Sequence, residues 1–129
     1  MTKAYATNEA GVTFSNWAPA EKFQFILAKD QPTLAMFVSQ ELSFDEDRRY
    51  RFDFCWPSIS LAVEIDGFGY GHQAQQCMAE DNEKSNRAVE LGWRVLRYNS
   101  RQLGSVQGVR DAVEQVWSIA CLAGLTDES

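Results

Sequence analysis

The sequence predicts an α/β fold in which a mixed sheet is flanked by helices. Large aromatic residues recur at every second position between Arg49 and Trp56, and a second alternating stretch follows from Leu61 to Asp66. A polar helical stretch then separates these from a further strand-like run, Trp93 to Tyr98. Alternation with period two marks half-buried strands. A strand that returns through a helical crossover lies parallel to its neighbour, so the sheet should be mixed. The expected order is helix, three strands, helix, strand, helix.

Taken along the chain, residues 1–15 have weak periodicity and are expected to be at best a partly ordered amino-terminal segment, leaving 16–129 as one domain. Pro19 opens a helix over Ala20 to Lys29, with Phe23, Ile26 and Leu27 at helical spacing, and Asp30-Gln31-Pro32 closes it. Residues 35–44 read as a strand, followed by a turn at Asp45-Glu46-Asp47. In the next strand, Tyr50, Phe52, Phe54 and Trp56 are assigned to the core face and Arg49, Arg51 and Asp53 to the other. Pro57-Ser58 makes the turn into a strand where Leu61, Val63 and Ile65 alternate with Ala62, Glu64 and Asp66. If these two strands pair antiparallel, Asp53, Glu64 and Asp66 project from one side of a single hairpin.

A glycine- and aromatic-rich loop, Gly67 to Gly71, leads past His72 into a polar helix over about Gln76 to Leu91. Gly92 should end that helix in the left-handed conformation. The strand Trp93 to Tyr98 follows. A last amphipathic helix, about Val106 to Ala123, carries Val109, Val113, Val116, Trp117 and Ala120 on one stripe.

Bulk properties bound the function. The chain has 129 residues, 45% hydrophobic and 23% charged, which suits one globular domain with a real core. No apolar run approaches the roughly 18 residues of a membrane span, and the amino terminus lacks a signal-peptide pattern. Cys55, Cys77 and Cys121 are widely spaced, form no CxxC pair, and have only His72 to complete a zinc set. A reduced, cytoplasmic setting is the simplest reading.

The net charge of −6 and a pI near 4.7 argue against a nucleic-acid partner. The distribution softens that objection. Between Lys84 and Arg110 stand six basic residues, Lys84, Arg87, Arg94, Arg97, Arg101 and Arg110, against the single acid Glu90. Arg48, Arg49 and Arg51 form a second cluster. Local fields rather than the global sum steer a polyanion, although such clusters also arise as solvated faces.

Crowding carboxylates on one sheet face is costly, because like charges raise each other's pKa. A cation or basic side chains must fill the space between them. Mg²⁺ takes oxygen ligands, usually one or two carboxylates plus waters and substrate phosphate. Two acids on adjacent strands beside a basic helix suit metal-assisted phosphodiester hydrolysis. The alternative is a solvated strand face whose acids pair with Arg49 and Arg51.

The motifs Arg51-Phe52-Asp53-Phe54, Ala62-Val63-Glu64-Ile65-Asp66-Gly67, Asp81-Asn82-Glu83-Lys84-Ser85-Asn86 and Leu91-Gly92-Trp93-Arg94-Val95-Leu96-Arg97 follow one another in that order. Through them the segment from Arg48 to Gln102 resembles the PD-(D/E)XK nuclease superfamily, in the branch of very-short-patch repair endonucleases and small phage and bacterial relatives. The resemblance implies a restriction-endonuclease-like core and a Mg²⁺-dependent endodeoxyribonuclease, with Mn²⁺ able to substitute and no organic cofactor. DNA is the implied partner. Small size and the lack of an evident base-reading module favour recognition of DNA shape, such as a junction or branch. Resolving a junction would require a homodimer with two-fold symmetry.

By the same resemblance Asp53 is the first metal ligand and Glu64 the second, with the Ile65 carbonyl as a third. Asp66 stands where the general pattern places a lysine that activates water and stabilises developing charge. An Asp-Gly pair followed by a histidine is a familiar variant in this branch. Lys84 is the candidate replacement, beside Asp81 on its helix; otherwise it is an exposed helical lysine. Glu21 resembles the helical glutamate that completes metal sites in relatives, or else stabilises its own helix terminus. His72 reads as general base or phosphate ligand, or as a loop histidine bonded to backbone. Asn86, Arg87, Arg97, Arg48, Arg49 and Arg51 are the candidate DNA contacts. Trp56 and Trp93 are expected in the core. The competing reading is a catalytically inactive nucleic-acid-binding or regulatory protein on a nuclease scaffold, motivated by the missing lysine and the acidic pI. A third is interaction with protein alone.

Overall fold

The computed structural model describes residues 13–45, 47–48, 50–66 and 74–125, without the side chains of Ser15 and residues 74–81. Expectations for the segment before Thr13, for Arg49, for the loop carrying His72, for Asp81 and for the last four residues lie outside that range. The elements in order are α1 (Pro19–Asp30), α2 (Pro32–Phe37), β1 (Ser39–Asp45), β2 (Tyr50–Trp56), β3 (Leu61–Asp66), α3 (Ala74–Glu90), β4 (Arg94–Asn99) and α4 (Val106–Leu122).

The four strands form one open sheet in the order β1-β2-β3-β4. β1 and β2 pair antiparallel, as do β2 and β3, while β3 and β4 run parallel. The sheet is thus mixed, and the parallel pair is the one joined through the helix α3, as a helical crossover requires. Gly92 has φ of 88° and closes α3 in the left-handed region.

Alternation along the strands divides the interior into two apolar clusters. On one sheet face Phe54, Trp56, Leu61 and Val63 pack with Phe23, Ile26 and Leu27 of α1 and Val109, Val113, Val116 and Ala120 of α4. On the other, Cys55 and Ala62 pack with Phe52 and with Ala88 of α3, and Trp93 and Val95 flank them. α3 therefore covers the face opposite to α1 and α4. Cys55 is a buried free thiol and Cys121 an exposed one. Among the described residues no helix is long and apolar enough to cross a membrane.

Two local expectations are corrected. The strand expected over residues 35–44 begins only at Ser39, because Pro32–Phe37 form the short helix α2. Pro32 supplies the fixed φ of a first helical position. Leu34 is fully buried, and its carbonyl accepts a 2.8 Å hydrogen bond from the Trp56 indole. Apolar residues in a run this short fit either period, and the tertiary bond decides.

The second correction concerns β2. Phe52 does not share the face of Phe54 and Trp56; it joins the cluster under α3, stacked on Phe44 with ring centroids 3.9 Å apart. Tyr50 is half-buried rather than core, and its hydroxyl donates to Glu83 of α3 at 2.8 Å. The cause lies in β1. Glu41, between the Gln40–Phe54 and Leu42–Phe52 pairs, has φ of 54°, and the register slips once, between Ser43 and Asp45. A left-handed residue and a bulge twist the hairpin end over, so simple alternation fails there.

Candidate active site

The acids sit where β2 and β3 part company. Their ladder pairs Phe54 with Val63, Cys55 with Ala62 and Trp56 with Leu61. Beyond it the Asp53 carboxylate, rather than a backbone carbonyl, accepts the Ile65 amide hydrogen at 2.7 Å. Asp53 is thereby fastened across the strand gap through one of its two oxygens. Glu64, the neighbour of that amide, is only 8% exposed. Its position follows from parity: Ala62 and Glu64 share the face under α3, and α3 leaves little water above them.

A carboxylate buried this deeply needs a counter-charge. The Lys84 ammonium donates to Glu64 Oε1 at 2.9 Å from above. Burial pushes the Glu64 carboxyl above the usual carboxylate range, and the Asp53 charge pushes the same way. Lys84, and more weakly Arg97, pull it back without cancelling the shift. Lys84 belongs to the stripe of α3 that faces the sheet, one turn before Arg87 and Ala88.

Asp66 lies two residues further along the same face. Arg97 of β4, whose register partner on β3 is Glu64, reaches diagonally to Asp66: Nη2 donates to Oδ1 at 2.8 Å and Nε to Oδ2 at 3.4 Å. The other arm of the guanidinium, Nη1, donates to the Ser85 hydroxyl at 3.2 Å. The acids of the hairpin are thus matched by Lys84 and Arg97, not by Arg51, which is exposed on β2.

The remaining sequence candidates go elsewhere. Glu21 is exposed and accepts the Ala18 amide hydrogen at 3.2 Å, a bond that caps its own helix on the opposite side of the sheet. Arg87 and Arg48 converge on Asp45, at 2.8 Å and 3.1 Å. Asn86 is exposed on α3. Trp56 is in the core as expected, and Trp93 is half-buried against Phe52.

Sequence reasoning missed three residues. Asp45, expected in a turn, is buried at the end of β1; desolvation alone would raise its carboxyl, but the hydrogen bonds from Arg87 and Arg48 outweigh it and hold the group below its usual value. Ser85 was unremarkable in sequence and binds Arg97. Lys22 is buried on α1, donates to the Leu103 carbonyl at 3.3 Å and lies 5.9 Å from the Phe14 ring centroid. Its signal was available: position 22 falls on the Ile26 stripe, four residues back.

Among the described residues no three histidine, cysteine, aspartate or glutamate side chains gather into a metal-binding group. The oxygen donors that the resemblance suggested for a metal are two carboxylates, Asp53 and Glu64, with the Ile65 carbonyl next to Glu64 in sequence. Hard oxygen donors of that number fit Mg²⁺, which rarely takes more than two carboxylates and completes its shell with water and phosphate. The local charge fits as well, since a buried acid beside a second acid favours an added cation. No protein-family model, curated protein or solved structure matches the chain.

Proposed function

We propose that this protein is a divalent-metal-dependent DNA endonuclease with a restriction-endonuclease-like core. One observation carries the reading: the Lys84 ammonium lies 2.9 Å from the buried Glu64 carboxylate, with Asp53 fastened to the adjacent strand. A metal, a general acid–base group and an electrostatic stabiliser are the parts that phosphodiester hydrolysis requires, and the site offers residues for each. Asp53, Glu64 and the Ile65 carbonyl would hold Mg²⁺, or Mn²⁺ in its place. The ion, when bound, would polarise the scissile phosphate and lower the pKa of an attacking water. Lys84 would orient that water and meet the developing negative charge, the task the strand lysine performs in the general pattern.

DNA is the substrate class. With Arg51 exposed on β2 and no base-reading element among the described residues, backbone and shape recognition fit better than sequence readout. A branched substrate cut on both strands would call for a homodimer.

A second reading rests on a different observation. Arg48, Arg87 and Arg97, three of the arginines expected to meet DNA, already hold Asp45 and Asp66. A protein that retained the scaffold for binding or regulation alone would show the same pairing.

Cleavage and metal binding separate the two. Single-stranded, duplex, flap and four-way-junction DNA would be incubated with wild type and Asp53→Ala in EDTA, Mg²⁺ or Mn²⁺. Metal-dependent cutting by wild type, lost in the variant, is the expected result. Cutting that persists in Asp53→Ala overturns the assignment. Absence of both cutting and calorimetric Mn²⁺ binding, with DNA affinity intact, selects the regulatory reading.

A further inference from the structure

We propose that Asp66, Arg97 and Ser85 form a positioning relay that sets Lys84 over Glu64. The relay rests on the nuclease reading for its catalytic meaning, but its geometry stands by itself. Among its described side chains, from Asn82 onward, α3 meets the sheet through polar contacts: Lys84 to Glu64, Ser85 to Arg97 and Arg87 to Asp45. Among its described side chains Ala88 is the one buried apolar residue. Over this described stretch Ala88 is a small apolar anchor, and a turn of a few tens of degrees would carry the Lys84 side chain off the acid.

Arg97 supplies what packing does not. Its fork is planar and rigid, so two bonds to Asp66 fix the plane in which the third arm points. That arm meets the Ser85 hydroxyl. A serine within a helix ordinarily bonds the carbonyl of the preceding turn or faces water, whereas this one is held by a side chain from the sheet. Because Ser85 is the next residue after Lys84, fixing one fixes the backbone of the other. β4 places Arg97 directly beside Glu64, so anchor and target are in register.

The exposure of the pair argues against a purely stabilising role. The Asp66 and Arg97 side chains are 42% and 32% exposed, and ion pairs so close to water add little to stability. Asp66 is then no catalytic acid. It acts through Arg97 and Ser85, and its carboxylate serves to orient the guanidinium.

The test reads the Lys84 ammonium directly. In protein labelled with ¹⁵N-lysine, the Lys84 Nζ signal is assigned by its loss in Lys84→Arg, at low temperature and mildly acidic pH. Ser85→Ala and Asp66→Asn should each weaken or shift that signal toward that of an exposed lysine, and Ser85→Thr, which keeps the hydroxyl, should restore it. Where wild type cleaves DNA, Ser85→Ala should lower kcat by about tenfold to a hundredfold with KM within about twofold, the pattern of a displaced catalytic group. If Asp66→Asn fails to fold, Ser85→Ala and its threonine rescue decide alone. An unchanged Lys84 signal in Ser85→Ala overturns the relay whatever the activity. Failure of wild type to cut any DNA would instead remove the nuclease reading, and the Lys84 signal would still decide the relay.

Discussion

The Lys84 ammonium and the Glu64 carboxylate meet at 2.9 Å although the residues are 20 positions apart and stand on a helix and a strand. A surface pair of this kind would be incidental. Here the acid is 8% exposed and lies beside a second carboxylate, so the lysine is its principal counter-charge. Removing the ammonium while keeping the stem isolates its contribution. On the proposed nuclease reading, Lys84→Met should cut the rate of metal-dependent DNA cleavage by about 10²–10³-fold, as for loss of one preorganised donor. Calorimetric Mn²⁺ affinity should stay level or tighten, since a cation next to the proposed metal position has gone. Equal cleavage by wild type and variant would remove Lys84 from the chemistry.

The same pair predicts a stability gain where function is lost. Burial pushes the Glu64 carboxyl up, so at neutral pH its ionised form is worse accommodated in the folded chain than in the unfolded one. Lys84 is 21% exposed and can turn to water once released. Glu64→Gln should therefore leave Tm at pH 7.5 unchanged or raise it by roughly 2–6 °C, while abolishing the proposed cleavage. A fall of several degrees in a thermal melt would mean that the ion pair stabilises the fold instead.

Asp45 should behave in the opposite way. Arg87 and Arg48 hold its carboxyl below the usual value despite desolvation, so the folded state favours the ionised form. A folded pKa below the unfolded one contributes stability above the unfolded value, near 4, and loses it as pH falls through the folded value. The Tm of wild type should exceed that of Asp45→Asn most clearly at pH 6–7, and the gap should close below about pH 4. Melting curves whose separation is the same at pH 7 and pH 3 would show that the charge contributes nothing.

These sites differ in how far the sequence announced them, and the reason is the distance over which the signal acts. Asp53 and Glu64 were visible because strand alternation is local and the two strands are neighbours in the chain. Lys84 was visible as a basic residue on a helix that the crossover had to lay across the acids. Asp45 was not, since its partners are three and 42 positions away and nothing local marks a turn acid as buried. Phe52 was misplaced because the left-handed Glu41, on another strand, turns the hairpin beneath it. The Arg97 arms were likewise unreadable, as a fork that joins Asp66 to Ser85 exists only after β3, β4 and α3 have assembled.

The short helix α2 was hidden for a related reason, and the bond that reveals it can be tested. The Trp56 indole donates to the Leu34 carbonyl at 2.8 Å between two fully buried residues. Trp56→Phe keeps an aromatic ring but removes the donor and part of the volume. A buried acceptor that loses its partner costs about 1–3 kcal/mol, and the missing atoms add a cavity term. Urea denaturation should show a loss of about 2–4 kcal/mol with an unchanged m-value, and amide exchange should quicken first in Pro32–Phe37. If the stability falls while α2 exchange keeps pace with the rest of the chain, the loss is general packing around β2. Only a local acceleration identifies Trp56 as the residue that holds this segment helical rather than extended.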